Sequence, residues 1–209
     1  MLERIKKCGM VPVVKLSDAA KAVPLARALL DGGVGVIEIT FRTGAAPDAI
    51  AAIAGEVPGM LVGAGTVLTP EQLEVAQRAG ARFIVSPGLD ADIVQRARAH
   101  GLPVIPGAVT PTEICAALKL GLSVLKFFPA QVFGGTGALG ALAAPFAGVE
   151  FIPTGGIDQN NAPDYWKLPR VLAVGGTWMA PGELIEAGDF DGIRRIAAEA
   201  ARLRREAGR

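Results

Sequence analysis

The length, composition and charge of the chain describe a nearly neutral protein of ordinary single-domain size. It has 209 residues, 51% of them hydrophobic, and 21 Lys and Arg side chains against 20 Asp and Glu give a formal net charge of +1. This balance gives no electrostatic reason to expect a nucleic acid or an anionic membrane as a partner. No apolar run reaches the roughly 18 residues that span a bilayer, and the charged start is unlike a signal peptide. We therefore expect a cytoplasmic protein that acts on small molecules.

The cysteines and the histidine argue against several kinds of site. Cys8 and Cys115 lie far apart and belong to no CxxC motif or Cys/His cluster, which argues against a disulfide framework and a structural zinc site. The single histidine, His100, precedes Gly101 at a predicted helix end, where a cation complements the helix dipole. One histidine placed there cannot build a Ser-His-Asp arrangement or a histidine-based metal site. We expect neither a metal ion nor a cofactor.

Short β-branched apolar runs alternate along the chain with longer Ala- and Leu-rich amphipathic stretches, as parallel strands crossed over by helices do. A short amphipathic helix opens the chain, and eight strand–helix units follow. The predicted strands are residues 10–15, 34–40, 60–63, 82–85, 102–105, 123–127, 149–152 and 171–174. Eight units without a second composition block predict a single (β/α)8-barrel domain over residues 1–209. The alternative, an open doubly wound sheet, usually has a GxGxxG turn after its first strand, and this chain has none.

Helix-capping residues flank several of the amphipathic stretches. Among the predicted helices are residues 18–31, 70–79, 91–100 and 111–120. The predicted N-caps are Ser17, Asp90 and Thr110, and the predicted C-terminal stops are Gly32, Gly80, Gly101 and Gly121. We interpret Tyr165, Trp166 and Trp178 as packing residues, and Arg202, Arg204 and Arg205 as the solvated face of a last helix.

In a barrel of this type the active site lies at the C-terminal ends of the strands. The residues predicted there are, in chain order, Glu38, Arg42, Thr66, Pro87, Pro106, Thr110, Lys126, Thr154, Gly155, Gly156, Gly175, Gly176 and Thr177. Lys126 belongs to the run Val-Leu-Lys-Phe-Phe-Pro, whose apolar groups disfavour the charged form of an amine. A neutral lysine can condense with a ketone, and the resulting iminium draws electrons from the adjacent carbons. The structural alternative is a lysine that reaches solvent or pairs with a carboxylate.

Two charged residues near the second strand are candidates for the same site as Lys126. Glu38 lies in the apolar run Val-Ile-Glu-Ile-Thr, where an unpartnered carboxylate is costly, so it needs a cation or a functional role. It is either half of a buried ion pair with Lys126 or a general acid/base. Arg42, past the strand end, can bind a substrate carboxylate through two hydrogen bonds, or it is a surface arginine.

Two glycine turns follow the seventh and eighth predicted strands. They are Pro-Thr-Gly-Gly-Ile at 153–157 and Val-Gly-Gly-Thr-Trp at 174–178. Barrels often bind phosphate at these two strand ends through backbone N–H groups. Their occurrence at consecutive ends favours a phosphorylated substrate over a pair of ordinary tight turns.

Four segments carry a resemblance to a known family: Val-Gly-Ala-Gly-Thr-Val (62–67), Ser-Pro-Gly (86–88), Lys-Phe-Phe-Pro-Ala (126–130) and Pro-Thr-Gly-Gly-Ile (153–157). With Glu-Ile-Thr-Phe-Arg-Thr (38–43), they resemble the 2-keto-3-deoxy-6-phosphogluconate (KDPG) and 4-hydroxy-2-oxoglutarate (KHG) aldolases over nearly the whole chain. The resemblance implies a metal-independent class I aldolase that assembles as a homotrimer. Its expected reaction is the Entner–Doudoroff cleavage of KDPG to pyruvate and glyceraldehyde 3-phosphate.

The resemblance also implies a role for each site residue. It makes Lys126 the Schiff-base lysine and Glu38 the general acid/base. It assigns the keto-acid end to Arg42 and Thr66, the phosphate pocket to Thr154, Gly155, Gly156 and Thr177, and further substrate contacts to Pro87, Phe128 and Gly176. Two departures from the family pattern bear on fine specificity: Gln131 replaces an expected acidic residue, and Thr177 stands where several members have serine.

Two alternatives remain on the sequence alone. One is a sibling enzyme of the same barrel that acts mainly on KHG or on the C4 epimer 2-keto-3-deoxy-6-phosphogalactonate, and phosphate dependence separates the KHG case. The other is an assembly scaffold derived from the barrel. Intact Lys126 and Glu38 argue against a loss of catalysis in such a scaffold.

Overall fold

The computed structural model describes residues 1–208 and shows an α/β fold whose strands pair in parallel. The strands are β1 (Met10–Val14), β2 (Val36–Thr40), β3 (Leu61–Gly65), β4 (Ile84–Ser86), β5 (Val104–Pro106), β6 (Val124–Phe127), β7 (Glu150–Pro153) and β8 (Val174–Gly176). Six of them form a curled sheet in the order β5-β4-β3-β2-β1-β8, and β6 pairs with β7. The α/β class is confirmed and eight strands are found in the predicted order, with bounds that differ most for the last of them, whereas the closure of all eight strands into one barrel stays a prediction.

The helices follow the strands in the predicted alternation, and the short N-terminal helix is present. They are α1 (Leu2–Cys8), α2 (Ala22–Asp31), α3 (Ala46–Glu56), α4 (Pro70–Arg78), α5 (Ala91–Ala99), α6 (Pro111–Lys119), α7 (Gly135–Ala143), α8 (Ala162–Trp166), α9 (Gly182–Ala187) and α10 (Phe190–Glu206). None of the helices within residues 1–208 is long and apolar enough to cross a membrane.

Two of the three predicted N-caps are confirmed. The Asp90 carboxylate accepts from two N–H groups of the first turn of α5, and Thr110 forms a reciprocal capping box with Glu113 on α6. The prediction for Ser17 is wrong. Asp18 accepts from Ala20 N at the start of a 3-10 turn, while the Ser17 hydroxyl donates to a carboxylate of α9 at 2.7 Å. The chain enters the turn one residue later than predicted, so the side chain of Asp18 faces the free N–H groups.

The C-terminal helix does not expose all of its arginines. Arg202 and Arg205 are exposed, but Arg204 is 8% exposed and its guanidinium lies 5.7 Å from the centre of the Trp166 ring. A Cβ at Gly9 would overlap the Arg204 side chain, so a glycine is needed there. The prediction of a solvated face is therefore wrong for Arg204, because its stem belongs to the buried stripe of α10.

The last strand differs most from its predicted bounds. The prediction, residues 171–174, followed the apolar run, but β8 is Val174–Gly176, and Val171 lies outside it in an isolated bridge to Phe151. Strand pairing sets the boundary, because Val11 of β1 pairs with Gly175 and Pro12 pairs with Gly176. A glycine pair lacks the β-branched side chains from which a strand is predicted.

Alternate residues of the strands point to the inside of the curled sheet, since side chains alternate between faces. Toward the N-terminal ends this inner face is apolar and includes Val36, Phe83 and Val124, and Ile5 of α1 belongs to the same cluster. The helices pack against the outer face of the strands in a second, larger cluster. The polar residues of the inner face are therefore confined to the C-terminal ends of the strands.

Candidate active site

Lys126 and Glu38 meet on the inner face at the C-terminal ends of the strands. The alternation that turns Val36 and Val124 inward also turns Glu38 on β2 and Lys126 on β6 inward. Lys126 Nζ lies 3.4 Å from Glu38 Oε1, and the two side chains are 8% and 3% exposed. A nucleophilic amine and a proton-transfer group are thus within reach of each other, away from bulk water.

Two glycines make room for functional side chains on neighbouring strands. A Cβ at Gly65 on β3 would overlap the Glu38 carboxylate, and a Cβ at Gly175 on β8 would overlap the Thr154 hydroxyl. Glycine is required at both positions because any side chain would collide, not because the backbone adopts a conformation that favours glycine. These roles were not predicted, although a glycine in or beside an apolar strand run is a signal of such close approach.

A cavity of about 240 Å³ opens above the pair. It is lined by Val13, Arg42, Thr66, Pro87, Lys126, Phe128, Thr154, Gly155, Gly156, Ile157, Gly176 and Thr177. Every residue to which the resemblance assigns a role lines it except Glu38, and Glu38 borders a small adjoining void with Lys126 and Thr154. Val13 and Ile157 were not predicted, because an apolar residue near a strand end carries no sequence signal that separates cavity wall from core.

Some residues noted at the strand ends lie outside the cavity lining. Thr110 caps α6, and neither Pro106 nor Gly175 lines the cavity. A larger cleft of about 700 Å³ lies at the opposite, N-terminal ends of the central strands, where its lining includes Arg4, Arg82 and Leu102. No predicted site residue lines that cleft, so the smaller cavity is the candidate active site.

Arg42 is held at the cavity by a buried hydroxyl. Thr40, 1% exposed, donates from Oγ1 to Val14 O at 2.9 Å and accepts from Arg42 Nε at 3.1 Å. Because the only proton of the hydroxyl goes to the carbonyl, its lone pairs face Arg42. Arg42 Nε is therefore engaged, and the two terminal nitrogens of the guanidinium, which make no hydrogen bond within residues 1–208, can bind a ligand.

Thr66 has an unusual backbone conformation. Its φ of 56° makes it the one non-glycine residue with positive φ within residues 1–208. A threonine rarely adopts this left-handed conformation, because its branched Cβ crowds the backbone. Such residues cluster at functional sites, and Thr66 lines the cavity next to β3.

The glycine turn after β7 presents free donors. Gly155 and Gly156 have φ of 99° and 73°, which favour glycine, and both line the cavity. The N–H groups of Gly156 and Ile157 have no hydrogen-bond partner among residues 1–208, whereas the N–H of Gly155 lies in the parallel bridge between Thr154 and Gly175. Two consecutive free N–H groups beside a cavity form an anion-binding turn. The same described residues contain no cluster of His, Cys, Asp and Glu side chains that could hold a metal ion.

A parallel α/β fold with a buried lysine–carboxylate pair at its strand ends defines an enzyme class, the lyases that act through a Schiff base. The family model described as "KDPG and KHG aldolase" matches residues 1–196. The chain belongs to this aldolase family.

Three similar proteins show how far the likeness extends. A 2-dehydro-3-deoxy-phosphogluconate aldolase of Treponema pallidum is 49% identical over 97% of each chain. A KDPG aldolase of Legionella pneumophila, solved with pyruvate captured as a covalent carbinolamine, superposes with a TM-score of 0.92 at 36% identity, covering 95% of this chain and 97% of that one. The KDPG aldolase of Zymomonas mobilis ZM4 with 3-phosphoglycerate gives 0.89 at 42% identity, covering 96% and 94%.

Proposed function

We propose that this protein is a class I aldolase that reversibly cleaves KDPG to pyruvate and glyceraldehyde 3-phosphate. The observation that carries the proposal is the buried approach of Lys126 Nζ to Glu38 Oε1 at 3.4 Å beneath a cavity of substrate size. The covalent pyruvate carbinolamine of the Legionella enzyme supports chemistry of this kind in the family. An amine nucleophile activates the carbonyl itself, so the proposal includes neither a metal ion nor a cofactor.

The first half of the reaction builds the electron sink. The neutral Lys126 amine attacks the C2 ketone of the substrate and forms a carbinolamine. Glu38 transfers the protons that convert the hydroxyl into a leaving water, and an iminium between C2 and Nζ remains. Glu38 serves this step because its carboxyl group lies beside the nitrogen that reacts.

The second half breaks the carbon–carbon bond. Glu38, directly or through a water, removes the proton of the C4 hydroxyl, and the C3–C4 bonding electrons move toward the iminium nitrogen. Glyceraldehyde 3-phosphate leaves and a pyruvate enamine remains on Lys126. Glu38 returns a proton to C3, and water hydrolyses the iminium to release pyruvate and the free amine.

The cavity residues would hold the two ends of the substrate. In the proposal, Arg42 and Thr66 bind the carboxylate of the keto-acid end. Pro87 and Phe128 form walls, and the Phe128 ring centre lies 5.2 Å from Lys126 Nζ. The phosphate is assigned to the turn residues and their neighbours across the strand ends: Thr154, Gly155, Gly156, Gly176 and Thr177.

We further propose that residues 1–209 form one closed (β/α)8-barrel domain. Two isolated parallel bridges support closure, since Gly107↔Lys126 joins the end of β5 to β6, and Thr154↔Gly175 joins the end of β7 to β8. With these bridges, each of the eight strands has a neighbour on both sides. Two free cysteines, Cys8 and Cys115, fit the proposed reducing, cytoplasmic setting.

We also propose a homotrimer. Large apolar side chains are exposed in the loops after β3 and β6, namely Leu68, Phe128, Val132 and Phe133. Val132 is 82% exposed and is followed directly by the exposed Phe133, and adjoining exposed apolar side chains are more typical of an interface than single ones. Contact with other copies of the chain would cover these side chains.

The proposed activity is tested by comparing KDPG with KHG, which has the same keto-acid end but no phosphate. We expect pyruvate release from both, with kcat/KM at least tenfold higher for KDPG because its phosphate, carried on C6, extends to the N–H groups of the turn, whereas the second carboxylate of KHG is held at C5. Equal values for the two substrates would contradict the phosphate assignment. Absence of pyruvate release from either, by correctly folded protein, would contradict the aldolase function.

A further inference from the structure

We propose that Asn161 is a positioning residue that fixes the direction of the N–H groups at the phosphate-binding turn. The inference rests on the proposed function, because it concerns how the turn of Gly155 and Gly156 is prepared for an anion. Asn161 itself does not line the cavity. It acts through the backbone of the turn.

The carbonyl groups of three consecutive residues in the turn are all occupied. Thr154 O accepts from Ala130 N at 2.8 Å, and Gly155 O accepts from Gln131 N at 3.1 Å. Both donors belong to the segment that follows Lys126 on β6, so the turn is tied to the strand that carries the nucleophile. These two bonds are made by the backbone alone.

The third carbonyl depends on a side chain. Gly156 O accepts from Asn161 Nδ2 at 3.0 Å. Within residues 1–208 this is the only side-chain hydrogen bond to these three carbonyls. Asn161 is therefore the one part of the arrangement that a substitution can remove without changing the turn itself.

Fixing a carbonyl also fixes the N–H that follows it. In a planar trans peptide, the C=O of one residue and the N–H of the next point in opposite directions. The three anchored carbonyls therefore set the directions of the N–H groups of Gly155, Gly156 and Ile157, three residues that line the cavity. Asn161 sets the last of these, the N–H of Ile157.

The position of Asn161 in the fold gives an independent reason to look for such a role. Asn161 is the N-cap residue of α8, where an asparagine usually accepts from the N–H groups of the first turn, but its side chain makes no capping bond. Its Oδ1 accepts instead from Asp158 N at 3.0 Å, which leaves its amide nitrogen directed at Gly156 O. The side chain stabilises the turn rather than the helix.

The test is Asn161→Asp, which keeps the shape and the Oδ1 acceptor but cannot donate to Gly156 O. The measured quantity is the ratio of kcat/KM for KDPG to kcat/KM for KHG. A general loss of folding affects both substrates and cancels in the ratio. We expect the ratio to fall about five- to twentyfold, because the anion loses a well-directed donor and gains a nearby negative charge.

Two further variants separate the hydrogen bond from the charge. Asn160→Asp introduces the same charge one residue away, at an exposed side chain that makes no hydrogen bond among the described residues, and its ratio should stay within about twofold of the wild-type value. Asn161→Ala removes the donor without adding charge and should still lower the ratio about threefold or more. An unchanged ratio in both Asn161 variants, or an equal fall in Asn160→Asp, would overturn the proposal.

The outcome also distinguishes this inference from the proposed function. If the wild-type enzyme shows no preference for KDPG over KHG, the phosphate assignment itself fails. If the wild-type enzyme prefers KDPG and the Asn161 variants retain the full preference, the phosphate site stands and only the role of Asn161 is wrong.

Discussion

The buried pair of Lys126 and Glu38 allows two interpretations at the scale of single residues. As an ion pair, each side chain would mainly compensate the other's burial, and the loss of one would strand a charge. As a catalytic pair, Glu38 would exchange protons with the substrate and with the carbinolamine on Lys126. The 3.4 Å separation fits both.

Glu38→Gln separates the two interpretations, because it keeps the size and hydrogen-bonding capacity of the side chain but removes proton exchange near neutral pH. If Glu38 is the acid/base, we expect single-turnover cleavage of KDPG to fall by roughly 10²–10⁴-fold, the usual contribution of a placed proton-transfer group. Thermal unfolding of the same variant reports the structural contribution. Near-normal cleavage by a folded variant would leave Glu38 as a structural partner only.

The hydroxyl of Thr40 should govern substrate binding through Arg42. Thr40→Val removes the bond to Arg42 Nε, so we expect KM for KDPG to rise about three- to tenfold with a smaller change in kcat, and Thr40→Ser should restore most of the affinity. The matched control is Thr43→Val. It removes the hydrogen bond from the Thr43 hydroxyl to Leu16 O and leaves the contact between Thr40 and Arg42 in place. An equal effect of the control would show that anchoring of the loop matters, not the orientation of Arg42.

The site could be predicted from sequence only where a residue conflicts with its neighbours along the chain. Lys126 and Glu38 are charged residues in apolar runs, and both were identified for that reason. Thr40 fits a strand and Asn161 fits a helix start, so neither conflicts with its local sequence. Their roles depend on contacts with Arg42 and Gly156 O, and the sequence does not show those contacts.

At the scale of elements, the start of α6 carries the most complete cap. Although burial raises the pKa of Glu113, hydrogen bonds from Val109 N and from the hydroxyl and N–H of Thr110 lower it, and the net shift is downward. The carboxylate form is thus favoured in the folded state. Its stabilising effect is present above the ordinary pKa of a glutamate and is lost as the pH falls through the lowered value.

Thr110→Ala should lower the free energy of unfolding by about 1 kcal/mol, since it removes the N-cap acceptor and one donor to Glu113. Thr112→Ala is the control on the same helix, because Thr112 is exposed and its side chain makes no hydrogen bond among the described residues. Urea denaturation at neutral pH measures both. Equal losses in the two variants would assign the effect to helix propensity rather than to capping.

Elements with strong local patterns were predicted well, and those set by pairing were not. Thr110 and Asp90 indicate the starts of their helices, because their side chains accept hydrogen bonds from N–H groups within the next three residues. The bounds of β8 depend on its alignment with β1, more than 160 residues earlier in the chain. Arg204 is similar, because the part of α10 that carries it is covered by Trp166 and Gly9, which are distant from it in the sequence.

At the scale of the whole molecule, the exposed apolar side chains predict self-association. We expect light scattering to give about three times the 21.5 kDa mass of the chain. The double variant Val132→Ser and Phe133→Ser should shift the protein toward smaller species, because it removes apolar area from the proposed contact surface. A monomeric wild-type protein at micromolar concentration would contradict the proposed trimer, and a double variant of unchanged mass would place the contact elsewhere.

The central claim is that Lys126 forms a Schiff base with the keto acid, and reductive trapping tests it most directly. Borohydride added with pyruvate should attach one reduced pyruvate per chain, and mass spectrometry of the digest should locate it on Lys126. The digest also reports on Lys15 and Lys119, which are controls for nonspecific reaction. An adduct on either control lysine in place of Lys126, or no adduct under conditions that trap another class I aldolase, would contradict the account.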